Sequence, residues 1–501
     1  MKVPDVNHRY LIKSEKMKHP LVQNFINGQF TDSAGNRKLN VESPLDGSVI
    51  AEVVLSDKND LDLAVSFAKP AQKIWEKTPV KERVQVFFRY RQILEKNNKE
   101  LADLIVEECG KTLGEAMAEI DKAIELTEFA CSIPQILAGE SLEVSNGVEC
   151  RIENWPLGVV ASIVPFNFPS MVPHWTIPNA IVLGNAMIIK PSEIVPLSCQ
   201  RIASFLKEAG LPDGIFSIVN GDKEMVEAIC DHPGIDAVSF VGSTKVAKLV
   251  YARASSNFKR VLALGGAKNH LIVLPDAHPE MTGSNVAASM SGCAGQRCMA
   301  ASVMIAVGES DHIIEKVYEE AGKIVAGKNM GSVISRQAKE RIENYISQAE
   351  EQGAKIIVDG RGAKVAGKEN GYYVGPTVID YAKPEMTAAC EEIFGPVITI
   401  IRVETLDEAI SIENNNPYGN AAAVFTQSGG VAKQVIEKAS AGMIGINIGV
   451  PVPREPFSFG GWNESKFGSG DITGKSSIGF WTKLKKITVK WNPESRTNWM
   501  S

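Results

Sequence analysis

The sequence contains little cysteine and no strong excess of charge of one sign. Its eight cysteines among 501 residues are scattered without C-x-x-C pairs or histidine-rich neighbours, which excludes a disulfide framework and predicts no metal site. The 53 basic and 59 acidic residues are intermixed and give a formal net charge of −6, so the basic surface of a nucleic-acid binder is missing. We expect reduced thiols, no nucleic-acid partner, and a cytoplasmic location, or the mitochondrial matrix if the source is eukaryotic.

Long apolar runs are also missing. The longest, 180–189, is interrupted by Gly184 and Asn185, and it is far shorter than the roughly 20 residues of a membrane span. The first twenty residues mix lysines with Asp5 and Glu15 and lack an apolar signal core, so we interpret them as a polar leader. We expect no membrane partner, and a chain of this length predicts roughly two to four packed units.

Local patterns predict the elements of an α/β protein. Apolar residues flank Asn27-Gly28, which favours a tight hairpin. Helical periodicity predicts surface helices over Asp57–Lys77 and Val80–Glu108, with Gly110 as a candidate C-cap. Alternation around Asn146-Gly147 predicts an exposed hairpin over 140–155, whose free edge is suited to pairing with another subunit.

From residue 159 onward, short β-branched runs alternate with helical stretches in two successive blocks, which predicts parallel α/β sheets. The predicted strands are 159–164, 186–189, 216–219, 237–241, 261–264, 271–274, 302–307, 355–358, 397–403, 421–425 and 443–448, with helices over 335–352 and 405–415 in the second block.

Cys298 is the first candidate for chemistry. It lies among glycine and alanine in S-G-C-A-G-Q-R-C-M-A-A-S at 291–302, where a ligand could approach the sulfur closely. A lone cysteine is more often a small buried hydrophobic residue than a nucleophile. The segment alone therefore favours a nucleophile only weakly, and Cys293 is interpreted as a buried thiol.

Five motifs change this interpretation when they are taken together. They are P-F-N-F-P at 165–169, K-P-S-E at 190–193, F-V-G-S-T at 240–244, G-Q-R-C at 295–298 and E-E-I-F-G-P at 391–396. In this order and spacing they resemble the aldehyde dehydrogenase superfamily over nearly the whole chain.

This resemblance implies a fold as well as an activity. It implies a Rossmann-like NAD-binding domain, an α/β catalytic domain that presents the cysteine, and a β-flap hairpin used for oligomerisation. We expect the NAD-binding domain at 1–128 and 148–265, the catalytic domain at 266–465, and oligomerisation segments at 129–147 and 475–501. A homodimer or homotetramer is expected.

By the same resemblance, Cys298 is the nucleophile that adds to the aldehyde carbon and carries a thioester after hydride transfer. Asn167 matches the amide that stabilises the oxyanion together with the N–H of the cysteine. Without the resemblance, Asn167 would be interpreted as a turn residue before Pro169.

The residues implied for cofactor binding are spread over the chain. Lys190 and Glu193 resemble the pair that binds the adenosine ribose, and the carboxylate favours NAD over NADP. Ser243 would meet the pyrophosphate at a helix N-terminus, although the sequence has no G-x-G-x-x-G. Solvated charges at Lys190 and Glu193 are the alternative interpretation. The remaining residues implied for the cofactor cleft are Val164, Phe166, Phe394 and Glu392. Glu392 would bind the nicotinamide ribose, and its alternative interpretation is a carboxylate that caps a helix.

The chain departs from hydrolytic members of the superfamily at one position. Those members carry a glutamate in E-L-G-G-K, and the matching A-L-G-G-A-K-N-H at 263–270 places Ala263 or Leu264 there. Without that base the thioester should hydrolyse slowly, so a thiol such as coenzyme A is the expected acceptor.

Three further runs, G-A-K-N-H at 266–270, G-Q-R-C-M-A at 295–300 and N-N-N-P-Y-G at 414–419, resemble the methylmalonate-semialdehyde dehydrogenase class of the superfamily. That class converts methylmalonate or malonate semialdehyde, NAD and coenzyme A into propionyl-CoA or acetyl-CoA with loss of carbon dioxide.

The predicted substrate residues are cationic. Arg297 matches an arginine of that class that holds the substrate carboxylate, since a guanidinium pairs with a carboxylate through two hydrogen bonds; the alternative is a scaffold role in a salt bridge. A second arginine of the class aligns with Lys122, which keeps the charge but loses the planar fork. Three other functions stay open, namely hydrolytic aldehyde oxidation, a thiol hydrolase that does not need NAD, and a catalytically silent binding protein.

Overall fold

The structure, a computed structural model, describes residues 17–491. Residues 1–16 and 492–501, which hold most of the predicted leader and the end of the predicted C-terminal oligomerisation segment, lie outside the described residues. The helices, in chain order, are α1 (Lys58–Trp75), α2 (Val80–Lys96), α3 (Asn98–Cys109), α4 (Leu113–Ile136), α5 (Met171–Val182), α6 (Leu197–Glu208), α7 (Lys223–Asp231), α8 (Thr244–Ser256), α9 (Pro279–Ser291), α10 (Asp311–Gly322), α11 (Arg336–Glu351), α12 (Thr387–Cys390), α13 (Leu406–Asn414), α14 (Gly429–Lys438) and α15 (Gly474–Trp481).

The strands, in chain order, are β1 (Asn24–Ile26), β2 (Gln29–Thr31), β3 (Lys38–Glu42), β4 (Val49–Val54), β5 (Glu140–Ser145), β6 (Val148–Pro156), β7 (Val159–Ile163), β8 (Ala186–Lys190), β9 (Phe216–Ile218), β10 (Ala237–Val241), β11 (Arg260–Leu264), β12 (Asn269–Val273), β13 (Ala301–Val307), β14 (Lys355–Val358), β15 (Thr377–Asp380), β16 (Val397–Val403), β17 (Tyr418–Gly419), β18 (Ala421–Phe425), β19 (Met443–Ile446), β20 (Trp462–Asn463), β21 (Lys466–Gly468) and β22 (Thr482–Lys490).

Two large sheets carry the fold. The first has the order β2-β1-β9-β8-β7-β10-β11-β21, and the second has the order β14-β15-β16-β13-β12-β18-β19. Strands β7 to β11 pair in parallel, as do all neighbours of the second sheet except β14 and β15. Parallel strands buried on both faces explain the nearly continuous apolar runs of the sequence. The predicted α/β class is confirmed.

The chain passes from the first sheet to the second between Leu264 and Asn269, and β21 later returns to the edge of the first sheet. A third, antiparallel sheet has the order β22-β6-β5, and it is largely exposed. The assignment of these parts to cofactor binding, catalysis and oligomerisation stays a prediction.

Most of the predicted elements are present. Every predicted strand is found with its ends within two residues, and both predicted hairpins are found. Asn27 and Gly28 both have positive φ, 50° and 74°, as the tight turn between two twisted strands requires. None of the helices within residues 17–491 combines the length and apolarity that crossing a membrane needs.

The prediction of one helix over Val80–Glu108 is wrong. The structure has two helices, because Asn97 leaves helical geometry at φ −111° and ψ 18°, and its side-chain amide donates to the carbonyl of Ile93 in the last turn of α2. Asparagine competes with helical hydrogen bonds in this way. Gly110, with φ 76°, ends α3 as predicted.

Candidate active site

Topology brings five of the seven predicted cofactor residues to the carboxyl ends of the parallel strands in the first sheet, while Glu392 and Phe394 precede β16 of the second sheet. The segments after β7, β8, β10 and β11 leave the carboxyl ends of neighbouring parallel strands. In open α/β sheets, such an edge is where ligands bind. The second sheet meets this edge with the starts of β12 and β13, so the loop before β13, which carries Cys298, faces the same space.

A cavity of about 670 Å³ occupies this space. Nine of the eleven predicted site residues line it: Val164, Phe166, Asn167, Lys190, Glu193, Ser243, Cys298, Glu392 and Phe394. Residues from five separate stretches of sequence therefore meet in one place. Arg297 and Lys122 are the two that do not line it.

Cys298 lines the cavity from the loop just before β13. The loop that leads to it is fixed by Gln296, whose side-chain oxygen accepts from the N–H of Ile334 at 3.0 Å. Removal from bulk water, together with the nearby Glu392 carboxylate, raises the pKa of the Cys298 thiol to about 12, while the N–H groups of Cys298 and Met299 act in the opposite direction. Burial and the Glu392 carboxylate thus favour the protonated thiol over the thiolate.

Asn167 is buried in the same wall. Its side-chain nitrogen donates to the carbonyl of Gln296, two residues before Cys298, at 2.9 Å. An amide nitrogen carries two N–H groups, so a second donor is left for an oxygen that forms next to the sulfur. The sequence could not reveal this anchoring contact, because 129 residues separate the two partners.

The cofactor side of the cavity is lined by the charged pair Lys190 and Glu193 and by the N-terminus of α8. The Lys190 ammonium lies 3.0 Å from a Glu193 carboxylate oxygen, with side chains 3% and 34% exposed. The lysine of this pair is therefore buried in the cavity wall, so the pair is not fully solvated. Ser243 precedes α8, and its hydroxyl does not cap that helix, so the N-terminus of α8 keeps backbone donors for an anion.

Glu392 and Phe394 close the cavity near the nucleophile. A Glu392 carboxylate oxygen accepts from the N–H of Ala267 at 2.9 Å, and burial raises the pKa of this carboxyl. A Cβ at Gly266 would lie 2.3 Å from the other Glu392 oxygen, so a larger residue there would displace the Glu392 carboxylate. The ring of Phe394 meets that of Phe166 edge to face at 5.9 Å.

The predicted carboxylate-binding residues have other partners in this structure. Lys122 lies 2.5 Å from Glu455 and 3.2 Å from Glu125, so its charge is already shared by two carboxylates outside the cavity lining. Arg297 donates through Nη2 to the carbonyls of Ala288 and Ser289, in the last turn of α9. It forms no ion pair within residues 17–491, and its buried Nε has no hydrogen-bond partner there.

The positions aligned with the hydrolytic glutamate lie in the core. Ala263 and Leu264 are 0% and 4% exposed, and neither lines the cavity, whose wall at this point is Gly265 and Gly266. Glu193 and Glu392 are the only carboxylates among the lining residues. No group of His, Cys, Asp and Glu side chains in the described part of the chain is arranged to hold a metal ion.

Several residues of the site were missed by the sequence analysis. Trp175 and Val172 of α5 and Arg341 of α11 line the cavity, and no local pattern marks them. Asn269 and Asn420 bind the backbone of Cys298. Asn269 belongs to the K-N-H run quoted above, which was the available signal.

Comparison with known proteins identifies the same family that the sequence motifs resemble. The aldehyde dehydrogenase family matches residues 30–487. Malonate-semialdehyde dehydrogenase 2 of Geobacillus kaustophilus is 42% identical over 94% of this chain and 99% of its own. The human mitochondrial methylmalonate-semialdehyde/malonate-semialdehyde dehydrogenase, an acylating enzyme, is 42% identical over 95% of this chain and 91% of its own.

Solved structures agree. The methylmalonate-semialdehyde dehydrogenase of Oceanimonas doudoroffii superimposes with a TM-score of 0.93 at 43% identity, covering 95% of this chain and 99% of that one. A Sinorhizobium meliloti 1021 protein assigned to the same class and solved with NAD gives a TM-score of 0.94 at 39% identity, covering 96% of this chain and 100% of that one. With this fold, this cavity and these relatives, the chain belongs to the aldehyde dehydrogenase family.

Proposed function

We propose that the chain catalyses the NAD-dependent, CoA-acylating oxidation of malonate or methylmalonate semialdehyde to acetyl-CoA or propionyl-CoA, with release of carbon dioxide. The observation that carries the proposal is the cavity shared by Cys298 and Asn167, together with the buried, apolar Ala263 and Leu264 at the position of the hydrolytic glutamate, which supply no general base. The names of the relatives at 42–43% identity supply the substrate and the acylating outcome.

The cavity has the features that NAD requires. The Lys190–Glu193 pair can receive ribose hydroxyls, the N-terminus of α8 can receive a pyrophosphate, and Phe394 offers an apolar surface beside Cys298. NAD, when bound, supplies the acceptor for the hydride that the aldehyde loses.

The residues of the chain perform the remaining steps. The Cys298 thiol first gives up its proton to water. The thiolate sulfur then forms a bond to the aldehyde carbon, and the oxygen becomes an anion that the second Asn167 N–H and the Cys298 N–H can stabilise. Loss of the hydride leaves a thioester on Cys298. The bond between the α-carbon of this thioester and the substrate carboxylate then breaks, carbon dioxide leaves, and the resulting enolate takes up a proton from water. The coenzyme A thiolate then attacks the thioester carbon, the bond to Cys298 breaks, and the sulfur returns as a thiolate.

Arg297 is the stronger of the two predicted anchors for the substrate carboxylate. It is adjacent to the nucleophile in sequence, and within the described residues no carboxylate neutralises it, whereas the Lys122 charge is shared by Glu455 and Glu125. A guanidinium also pairs with a carboxylate through two parallel hydrogen bonds. Lys122 would reach a substrate carboxylate only after leaving Glu455.

The proposed assembly is a homodimer or homotetramer. It is supported by the exposed sheet β22-β6-β5, in which β5 and β22 each have one edge without a partner strand in the described part of the chain. Free edges of this kind are suited to pairing between subunits.

Product analysis tests the function. The purified protein is incubated with malonate or methylmalonate semialdehyde and NAD, with and without coenzyme A. We expect acetyl-CoA from the first substrate and propionyl-CoA from the second, each with one carbon dioxide and one NADH. Free acid as the only product in both conditions would instead identify a hydrolytic enzyme.

A further inference from the structure

The backbone carbonyl of Cys298 receives two side-chain amides. Nδ2 of Asn269 and Nδ2 of Asn420 each lie 2.8 Å from this oxygen, and the Asn269 nitrogen also donates to the carbonyl of Ala300 at 2.9 Å. The two asparagines are 4% and 7% exposed. They come from neighbouring strands, since Asn269 begins β12 and Asn420 directly precedes β18.

The orientation of the first amide is defined by its surroundings. The side-chain oxygen of Asn269 accepts from the backbone N–H of Ala421 at 3.2 Å and faces Nδ2 of Asn420 at 3.5 Å. Exchanging the oxygen and nitrogen of Asn269 would place its oxygen against two carbonyl oxygens, which repel it. The two amides therefore form one connected group, the amide clamp, behind the nucleophile.

The clamped carbonyl belongs to the peptide group that also contains the N–H of Met299. That N–H and the N–H of Cys298 are the backbone donors that favour the thiolate form of Cys298, against burial and the Glu392 carboxylate. Hydrogen bonds to a peptide carbonyl strengthen the N–H of the same peptide as a donor. The clamp also fixes the plane of that peptide, and so the direction in which its N–H points.

We propose that Asn269 and Asn420 are positioning residues, which hold the Cys298–Met299 peptide so that its N–H stabilises the Cys298 thiolate. They act on the reaction through Cys298, because their nitrogens are engaged by backbone oxygens and neither residue lines the large cavity. The inference needs Cys298 to be reactive, but it does not depend on which aldehyde is oxidised.

Alkylation of Cys298 by iodoacetamide tests this directly. The rate is followed between pH 6 and 10 by mass spectrometry of the peptide that contains Cys298, with Cys150 on the exposed hairpin as an internal reference. In Asn420→Leu, which keeps the size of the side chain but removes the donor, we expect alkylation at pH 7.5 to slow by roughly tenfold. That corresponds to a rise of about one unit in the apparent pKa of the thiol. The value of kcat should fall, while NAD binding stays unchanged.

The matched control is Asn179→Leu. Asn179 is also buried, but its amide donates to the hydroxyl of Ser477, away from Cys298. This variant should keep the parental pH profile for Cys298. A folded Asn420→Leu protein with the parental alkylation profile would overturn the inference, whatever its activity.

If Asn420→Leu does not fold, as judged by circular dichroism and NAD binding, Asn269→Ser takes its place. Its shorter hydroxyl side chain does not span the distance to the Cys298 carbonyl, so the same slower alkylation is expected. An unchanged Cys298 profile in this variant would likewise overturn the inference. If either variant loses CoA-dependent product formation but keeps the parental alkylation profile of Cys298, the positioning role of the amide clamp is contradicted. The proposed function of the enzyme is then unaffected.

Discussion

The ion pair between Lys122 and Glu455 joins α4 to the loop between β19 and β20. The same loop carries Phe459, whose ring packs on Trp175 in the cavity wall. Removing one partner of a fully buried pair costs about 3–5 kcal/mol, because the other charge is left without a partner. Here Glu125 remains 3.2 Å from the lysine, and it is 29% exposed. For Glu455→Gln we therefore expect a smaller loss of about 1–2 kcal/mol in the free energy of unfolding.

Urea denaturation at neutral pH measures this loss. Asp103→Asn is the matched control, because it breaks the exposed pair of Lys99 and Asp103, with side chains 70% and 55% exposed, and should cost about 0–0.5 kcal/mol. A loss for Glu455→Gln no larger than the control would show that the pair does not hold the loop. A loss above about 3 kcal/mol would show that Glu125 does not share the charge.

The same variant tests the predicted substrate role of Lys122. If Lys122 receives the substrate carboxylate, Glu455 competes for it. Glu455→Gln should then lower KM for malonate semialdehyde by roughly threefold to tenfold, equivalent to about 0.7–1.4 kcal/mol, and leave the oxidation of propanal unchanged. Equal effects on the two aldehydes would refute this reasoning and assign Lys122 to the ion pair alone.

Three further outcomes are expected from other parts of the molecule. Arg297→Gln should cost about 2–4 kcal/mol in kcat/KM for semialdehyde acids and far less for propanal; an equal loss would make Arg297 a scaffold residue for the end of α9. Cys298→Ala should abolish NADH formation while NAD still binds, and Cys293→Ala should be nearly silent; residual activity of a few per cent in the first variant would contradict the nucleophile assignment. Burial lowers the pKa of His174 from 6.5 to about 4, so the unfolded chain takes up a proton first as pH falls. The free energy of unfolding should therefore decrease from pH 6.5 towards pH 4, by about 3 kcal/mol for this group, and urea titrations of His174→Gln should show a flatter pH dependence.

Much of the fold follows from local sequence. The hairpin at Asn27-Gly28 and most strands of the two large sheets, though not β15 or β21, are marked by turn residues and β-branched runs, since these act over a few positions. The break at Asn97 was not predicted, because apolar periodicity continues across it and only one side-chain hydrogen bond ends α2. The nine residues of the cavity were found by resemblance to a family, since their spacing alone does not bring them together.

The partners of individual charges could not be predicted in the same way. Lys122 and Glu455 are 333 positions apart, so only the folded chain shows that the lysine charge is shared. Arg297 is adjacent to Cys298 in sequence, yet its side chain turns to the carbonyls of α9 and not into the large cavity. The contact of Asn269, in the K-N-H run, with the carbonyl of Cys298 likewise depends on the packing of β12 beside β18.

The central claim is that a thiol, and not water, removes the acyl group from Cys298. Rapid mixing of the enzyme with malonate semialdehyde and NAD, without coenzyme A, should give one NADH per active site in a fast burst and then a slow steady state. Adding coenzyme A should raise the steady-state rate strongly and yield acetyl-CoA, since thiolate attack on the thioester needs little help from a protein base. Fast turnover that does not respond to coenzyme A, with free acid as the only product, would contradict the account.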